Sequence, residues 1–468
     1  MASQVSPGVV LRERDLTNAT IVGDSALTAA IVSSFQKGPI DQIVNIADQK
    51  SLISVFGTPK EANAEDWLVA SEFLGYGGRL AVVRASSGVT NAANGGGTLI
   101  KNDAAWESGV GNTKIFAARS AGTWGNGVKV VVVDRGADQI ITLASAPSNP
   151  PSAGDAVAFN VSGVAKNAEV VAVDGLDYTV VLDDPTVLIS DSDNIEGTTI
   201  NAGNAGADIN IASVKDAYTN TSIGSTGLKL SAIGPRPGTS SFASDRGVGY
   251  DEVHVGVIDT TGDVSGAANT VLERFTFLSK ISDAKSPEGG SLYYKDIIND
   301  QAQFIFSGAA VGSLFEPNTT GGGKAWGVAS STLASGDFFK LSGGNETDLS
   351  GGTDDYAYTA GEVTAGYDLF LDTEETEVDF VLMGGSMGTE ADTKTKAQKA
   401  VAIAAARKDC VAFVSAFKGN QVGSGGSALT ASQQKTKTLN FFNTITSTSY
   451  AVLDSGYKYM YDRFNDKY

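Results

Sequence analysis

Catalysis and metal binding need side chains that can hold a proton, an ion or a nucleophile, and this sequence supplies few. Its 468 residues include one histidine, His254, and one cysteine, Cys410. A zinc site built from those two residue types takes four ligands, so a single chain cannot assemble one. Gly384-Gly385-Ser386-Met387-Gly388 fits the G-x-S-x-G nucleophile elbow and follows the apolar run Val378 to Met383. The α/β-hydrolase order places a histidine after that serine, whereas His254 precedes it, so the glycines read as a tight strand-to-helix turn. Gly321-Gly322-Gly323-Lys324-Ala325 hints at a phosphate loop. Asn318 stands where its first glycine belongs, and Ala325 where a Ser or Thr would meet magnesium. Asp191-Ser192-Asp193-Asn194-Ile195-Glu196-Gly197 begins like a calcium loop and then departs from it. Ile195 fills a ligand position and Glu196 the place of the turn glycine. Cys410 opens an apolar run, where a thiol packs as a small hydrophobe, and His254 sits in a strand-like run. The expectation is no catalytic residue, no cofactor-binding residue, no metal ligand and no cofactor: not an enzyme, but a protein that works through its surfaces.

The elements around these residues are of two kinds. Hydrophobic residues make up 42% of the chain, enough for a folded interior, and its length suits two to four domains. At the start, Ser25 to Val32 reads as a buried strand and Ile43 to Ile46 as a second. Ser51 to Phe56 and Asp66 to Leu74 carry apolar residues at helical spacing, Leu80 to Val83 is a strand, and Ser86 to Gly97 is a small-residue linker. Near the end, Val378 to Met383 and Cys410 to Ala416 are apolar strands flanking a helix from Ala391 to Lys408. In that helix Lys394, Lys396 and Lys399 face one side, and Val401, Ile403 and Ala404 the core. A strand–helix–strand crossover implies parallel pairing in a covered sheet. A helix from Ser432 to Ile445 and a strand from Tyr450 to Leu453 continue the series. The middle is different. Residues 136–235 hold 12 Asp or Glu against 3 Lys, in short alternating runs such as Gln139–Leu143 and Asp177–Leu182. That pattern predicts an acidic β-rich sandwich or barrel inserted in the surrounding fold. Glu252 to Val257 reads as a strand, and Val271 to Ser279 gives a mixed helix and strand signal.

Charge narrows the partners. Asp and Glu number 53 against 34 Lys and Arg, for a net charge of −19. Such a chain repels phosphate backbones, so no direct nucleic-acid binding is expected. No run approaches the ~18 apolar residues of a membrane span, and Arg12, Glu13, Arg14 and Asp15 interrupt any signal-peptide core. No membrane insertion is expected, and the protein is expected to be made in a cytoplasm.

Several segments, taken in order, resemble contractile phage tail sheath proteins of the T4-like, cyanophage-type myovirus branch. Ser6-Pro7-Gly8-Val9-Val10 with Glu13 is similar to the start of that family. Gln36-Lys37-Gly38-Pro39, Phe56-Gly57-Thr58-Pro59, Phe73-Leu74-Gly75-Tyr76-Gly77 and Leu80 to Ala85 follow in its order. Gly122-Thr123-Trp124-Gly125-Asn126 is similar to its "PGTWGN" turn. Leu341 to Gly344, Arg407 to Val411 and Gly456 to Asp462 match the T4-like branch, and Asp251 to Asp300, with Tyr293 to Asp296, is similar to cyanophage sheaths. The acidic insertion stands outside the resemblance.

The resemblance implies a structural virion subunit, assembled in the host cytoplasm. It would polymerise helically with other copies of itself around the tail tube protein, and meet baseplate and tail-terminator proteins. Contraction would drive the tube through the host envelope for genome ejection. It further implies that Ser6, Pro7, Gly8, Val9, Val10 and Leu11 form an inter-subunit arm pairing with a neighbour's sheet. The expected fold is α/β plus all-β. An arm over residues 1–20 precedes a discontinuous α/β domain of residues 21–100 and 341–468. A middle α+β domain of 101–135 and 236–340 carries the acidic insertion of 136–235. T4-like sheaths continue beyond the region of Gly456 to Asp462 into a tube-contacting domain, so that domain is expected to be absent from this sequence after Tyr468. The alternative from the acidic β insertion alone is a non-enzymatic adhesin or carbohydrate-binding protein.

Overall fold

The computed structural model describes residues 27–467 except 87, 135–136, 185–186, 198–206, 310–322, 340–345 and 424–427. The arm residues Ser6 to Leu11 lie outside the described residues. So does most of the glycine loop before Lys324.

A six-stranded sheet joins the two ends of the described chain. Its order is Ala451–Asp454, Val411–Ser415, Phe380–Leu382, Thr28–Ser33, Arg79–Arg84 and Ile43–Ile46. Every neighbouring pair is parallel except the last, where Ile43–Ile46 runs antiparallel to Arg79–Arg84. Thr28–Ser33 lies at the centre, and its alternate residues serve two cores. Ala30 and Val32 pack with the helices Ala360–Asp368 and Glu390–Arg407 on one face. Ala29 and Ile31 pack with Gln49–Phe56 and Ala64–Gly75 on the other. A strand buried on both faces has no polar positions to alternate, which is why these strands read as continuous apolar runs. The helices start where their caps dictate. Asp48 accepts the Ser51 N–H, and Thr359 and Glu362 close a reciprocal capping box.

The acidic middle forms a closed antiparallel barrel. Its strands, in order, are Asn194–Ile195, Ile209–Asp216, Gln139–Leu143, Asp177–Leu182, Val164–Asp174 and Ala156–Val161. The inward residues Ile141, Phe159, Val170, Val180 and Ile211 give it a core of its own. Its two ends meet, because the Ala217 N–H donates to the Asp138 carbonyl at 3.1 Å. Residues 217–235 leave the barrel: Tyr218, Ile223, Leu230 and Ile233 pack on Val131, Val133 and Ile258.

Those last residues belong to a four-stranded sheet ordered Thr270–Ser279, Glu252–Asp259, Val128–Val133 and Glu346–Asp348. Thr270–Ser279 is wholly strand. Two register shifts against Glu252–Asp259 break its alternation, which explains the mixed signal in the sequence. The segment from Ser86 to Gly97 departs from the expectation of a linker. Asn91 is buried, donating to the Ala118 carbonyl at 2.9 Å and accepting from the Ile100 N–H at 2.8 Å. A Cβ on Gly97 would stand 2.0 Å from the Gly351 carbonyl oxygen. The small residues here allow two backbones to touch, a use composition alone does not separate from flexibility. Among the described residues no helix is long and apolar enough to cross a membrane.

Candidate functional site

His254 lies in Glu252–Asp259, in a different sheet from the strand that leads to Ser386. Its Nδ1 accepts the Phe277 N–H at 2.9 Å, so the proton sits on Nε2, which donates to the Pro235 carbonyl at 2.5 Å. Both nitrogens are occupied, and burial holds the imidazole below its ordinary pKa. Among the described residues both of its ring partners are backbone groups. Cys410 is buried, and that burial pushes its thiol up to about 11, away from the reactive thiolate. Asp193, in the calcium-like stretch, accepts from the Ser190 N–H and hydroxyl at 2.8 and 2.7 Å. Among the described residues no group of three His, Cys, Asp or Glu side chains is placed to hold a metal ion. Lys324 pairs with Asp337 at 3.1 Å.

The G-x-S-x-G stretch has a structural task. Gly384, with φ of 74°, turns the chain out of Phe380–Leu382, and a Cβ there would come within 2.1 Å of the Asp66 Oδ1. That carboxylate is buried at the start of Ala64–Gly75 and accepts the Gly385 N–H at 2.7 Å. Lys396, from Glu390–Arg407, reaches the same oxygen at 3.1 Å, with the Tyr358 hydroxyl at 2.9 Å and the Gly385 carbonyl at 3.1 Å. Tyr358 in turn donates to the other Asp66 oxygen at 2.9 Å. Burial, then the Asp66 charge, raise the Tyr358 phenol far above its ordinary pKa and keep it a donor. Lys396 therefore departs from the sequence expectation of an outward lysine row: its side chain has no exposed surface. Glycines let the turn close over a buried ion pair that ties two helices to the sheet.

A second charged centre lies where the α/β sheet meets the four-stranded one. Arg84 ends Arg79–Arg84 and is buried, which brings its guanidinium down to about 10. Its Nη1 donates to the Gly38 and Ala121 carbonyls at 2.9 and 2.8 Å, and its Nη2 to the Gln36 carbonyl at 3.4 Å. One side chain thus pins Gln36 to Pro39 against the loop before Gly122. Gln36 accepts the Thr58 N–H at 3.3 Å, and Asp354 accepts the Thr123 N–H and hydroxyl at 2.8 and 2.7 Å. The sequence marks these segments but not their convergence. The signal was a charged Arg84 ending an apolar run.

No family model matches the chain. It is 24% identical to the tail sheath protein of Salmonella phage ViI, over all of this chain and 68% of that one. It is 25% identical to the tail sheath protein of Enterobacteria phage T4, over 99% of this chain and 70% of that one. The tail sheath protein of Vibrio phage KVP40 matches at 25%, over 99% and 71%. A solved sheath tail protein from Listeria innocua matches at 10% identity with a TM-score of 0.35, over 91% of this chain and 57% of that one. Along essentially its whole length the chain is similar to phage tail sheath proteins, and the matches run through the acidic barrel, which the ordered sequence segments left outside the resemblance.

Proposed function

We propose that this chain is a structural subunit of a contractile bacteriophage tail sheath, without enzymatic activity. The observation that carries the reading is whole-length similarity to tail sheath proteins of three phages. The structure supports it by what occupies its polar interior. Asp66, Lys396, Arg84 and His254 are spent on holding elements together. In this role the subunit packs helically with copies of itself around a tail tube, between baseplate and terminator, in the virion. Contraction is a switch between two packings of rigid subunits, driven by better contacts in the second. No nucleotide enters that step. The acidic module set on the outside of the array is the barrel of residues 139–216, narrower than the insertion 136–235 expected from the sequence, because residues 217–235 pack on the four-stranded sheet. Glu346–Asp348 also belongs to that sheet, rather than to an α/β domain of 21–100 with 341–468. Ser6 to Leu11 act as the strand-adding arm. The adhesin reading draws no support from these relatives.

Immunogold electron microscopy tests the proposal. Antibodies against the purified chain should decorate the tail of the virus that encodes it, along its length and on both extended and contracted particles. Label confined to fibres, or absent from virions, overturns it.

A further inference from the structure

Three of the ordered sequence segments, around Lys37, Thr58 and Thr123, line one open cleft of about 680 Å³ between the two sheets. That volume suits a side chain and part of a peptide. The Arg84 clamp and the Gln36 contact to Thr58 fix its walls, so little ordering is needed on binding. Its acids are hydrogen-bonded elsewhere, and among the described residues none pairs with Lys37. Asp103 pairs with Arg119 at 3.1 Å, Asp354 holds Thr123, and Asp263 accepts the Thr261 hydroxyl at 2.8 Å. Lys37 differs from the exposed Lys60 of the same lining. It is half-buried, and among the described residues its ammonium has no hydrogen bond or ion pair, its backbone N–H alone bonding to Phe56. Burial lowers its pKa. A partly desolvated cation without a counter-ion is unfavourable until one arrives. Copies of this chain carry a surplus of counter-ions, 53 Asp and Glu against 34 Lys and Arg.

We propose that this cleft is a docking site between copies of the chain, receiving an Asp- or Glu-bearing segment of a second copy whose carboxylate pairs with Lys37. Ile53 and Val264 supply apolar wall for the rest of the segment, and Lys60 adds a second cation to the lining. The inference rests on the self-assembly in the proposed function, and its test is independent of virion labelling.

The probe is an array of overlapping peptides of about 15 residues covering this sequence, challenged at physiological salt with the labelled full chain. A small set of acidic peptides should retain the wild type, Lys37→Arg, and the control Lys50→Ala on the exposed side of Gln49–Phe56. Retention should fall more than about tenfold for Lys37→Ala and Lys37→Gln, and for peptides with Asp→Asn and Glu→Gln changes. Thermal melts confirm that at least one of the two neutral variants is folded. Displacement by acetate alone would point to a site for free carboxylates and overturn the docking role. No retained peptide, or equal retention by the neutral variants, also overturns it. Tail labelling with a silent array would refute this cleft while leaving the sheath reading intact.

Discussion

Lys396 and His254 show how polar side chains are used inside this molecule. Removing one partner of a buried, hydrogen-bonded ion pair strands the other charge, at a cost of about 3–5 kcal/mol. Lys396→Met should therefore lower stability in urea titrations by about that amount. The pair Lys399–Asp368 is part-exposed, and Lys399→Met should cost less than about 1 kcal/mol. Adding Asp66→Leu to Lys396→Met should recover part of the loss, because no bare carboxylate remains. His254 makes a pH prediction. Burial depresses its folded pKa, so the unfolded chain takes up the proton first. Its contribution is complete above the ordinary value of about 6.5 and fades as pH falls through the depressed folded value. Protonation would also set a second N–H against that of Phe277, which is already held at φ of 56°. The stability gap between wild type and His254→Gln should narrow from pH 7 to pH 5. A gap that stays constant would mean that the imidazole is not held neutral.

At the scale of elements, the barrel is the part that should come away cleanly. It has its own core, and the Ala217 N–H meets the Asp138 carbonyl where the chain leaves and returns. Replacing residues 139–215 by a short Gly/Ser bridge should leave a cooperative thermal transition. Extending the deletion to residue 235 strips Tyr218, Ile223, Leu230 and Ile233 from Val131 and Ile258, and should broaden or abolish it. Calorimetry of both variants decides. The barrel was legible because short alternating runs separated by Gly and Pro admit few other readings. Phe380–Leu382, Glu390–Arg407 and Val411–Ser415 were legible because a strand–helix–strand crossover has one dominant outcome. The burial of Lys396 was not: its partner Asp66 lies 330 residues earlier, and helical periodicity carries no information about it. Nor was the meeting of Gln36, Thr58 and Thr123 at one cleft, which depends on how two sheets are juxtaposed.

For the whole molecule, a net charge of −19 sets how copies approach one another. Repulsion between them reaches about 30 Å at 0.01 M salt and about 8 Å at 0.15 M. Self-association, followed by light scattering, should therefore strengthen over that range; weakening would mean that ion pairs across the interface outweigh net charge. The order in which the chain is made matters as well. Thr28–Ser33 pairs on one side with Arg79–Arg84 and on the other with Phe380–Leu382, made about 350 residues later. At roughly 5–20 residues per second, a ribosome takes roughly 20 to 70 seconds to cover that distance. Throughout, an apolar strand waits with one edge open, while the barrel has everything it needs to close. Ribosome-bound chains arrested near residue 370 should thus be protease-resistant over the barrel, yet cleaved within the first strands or shielded there by a chaperone. Arrest beyond residue 454, with that stretch clear of the exit tunnel, should protect both, making the last strands the step that commits the nascent protein to its native state.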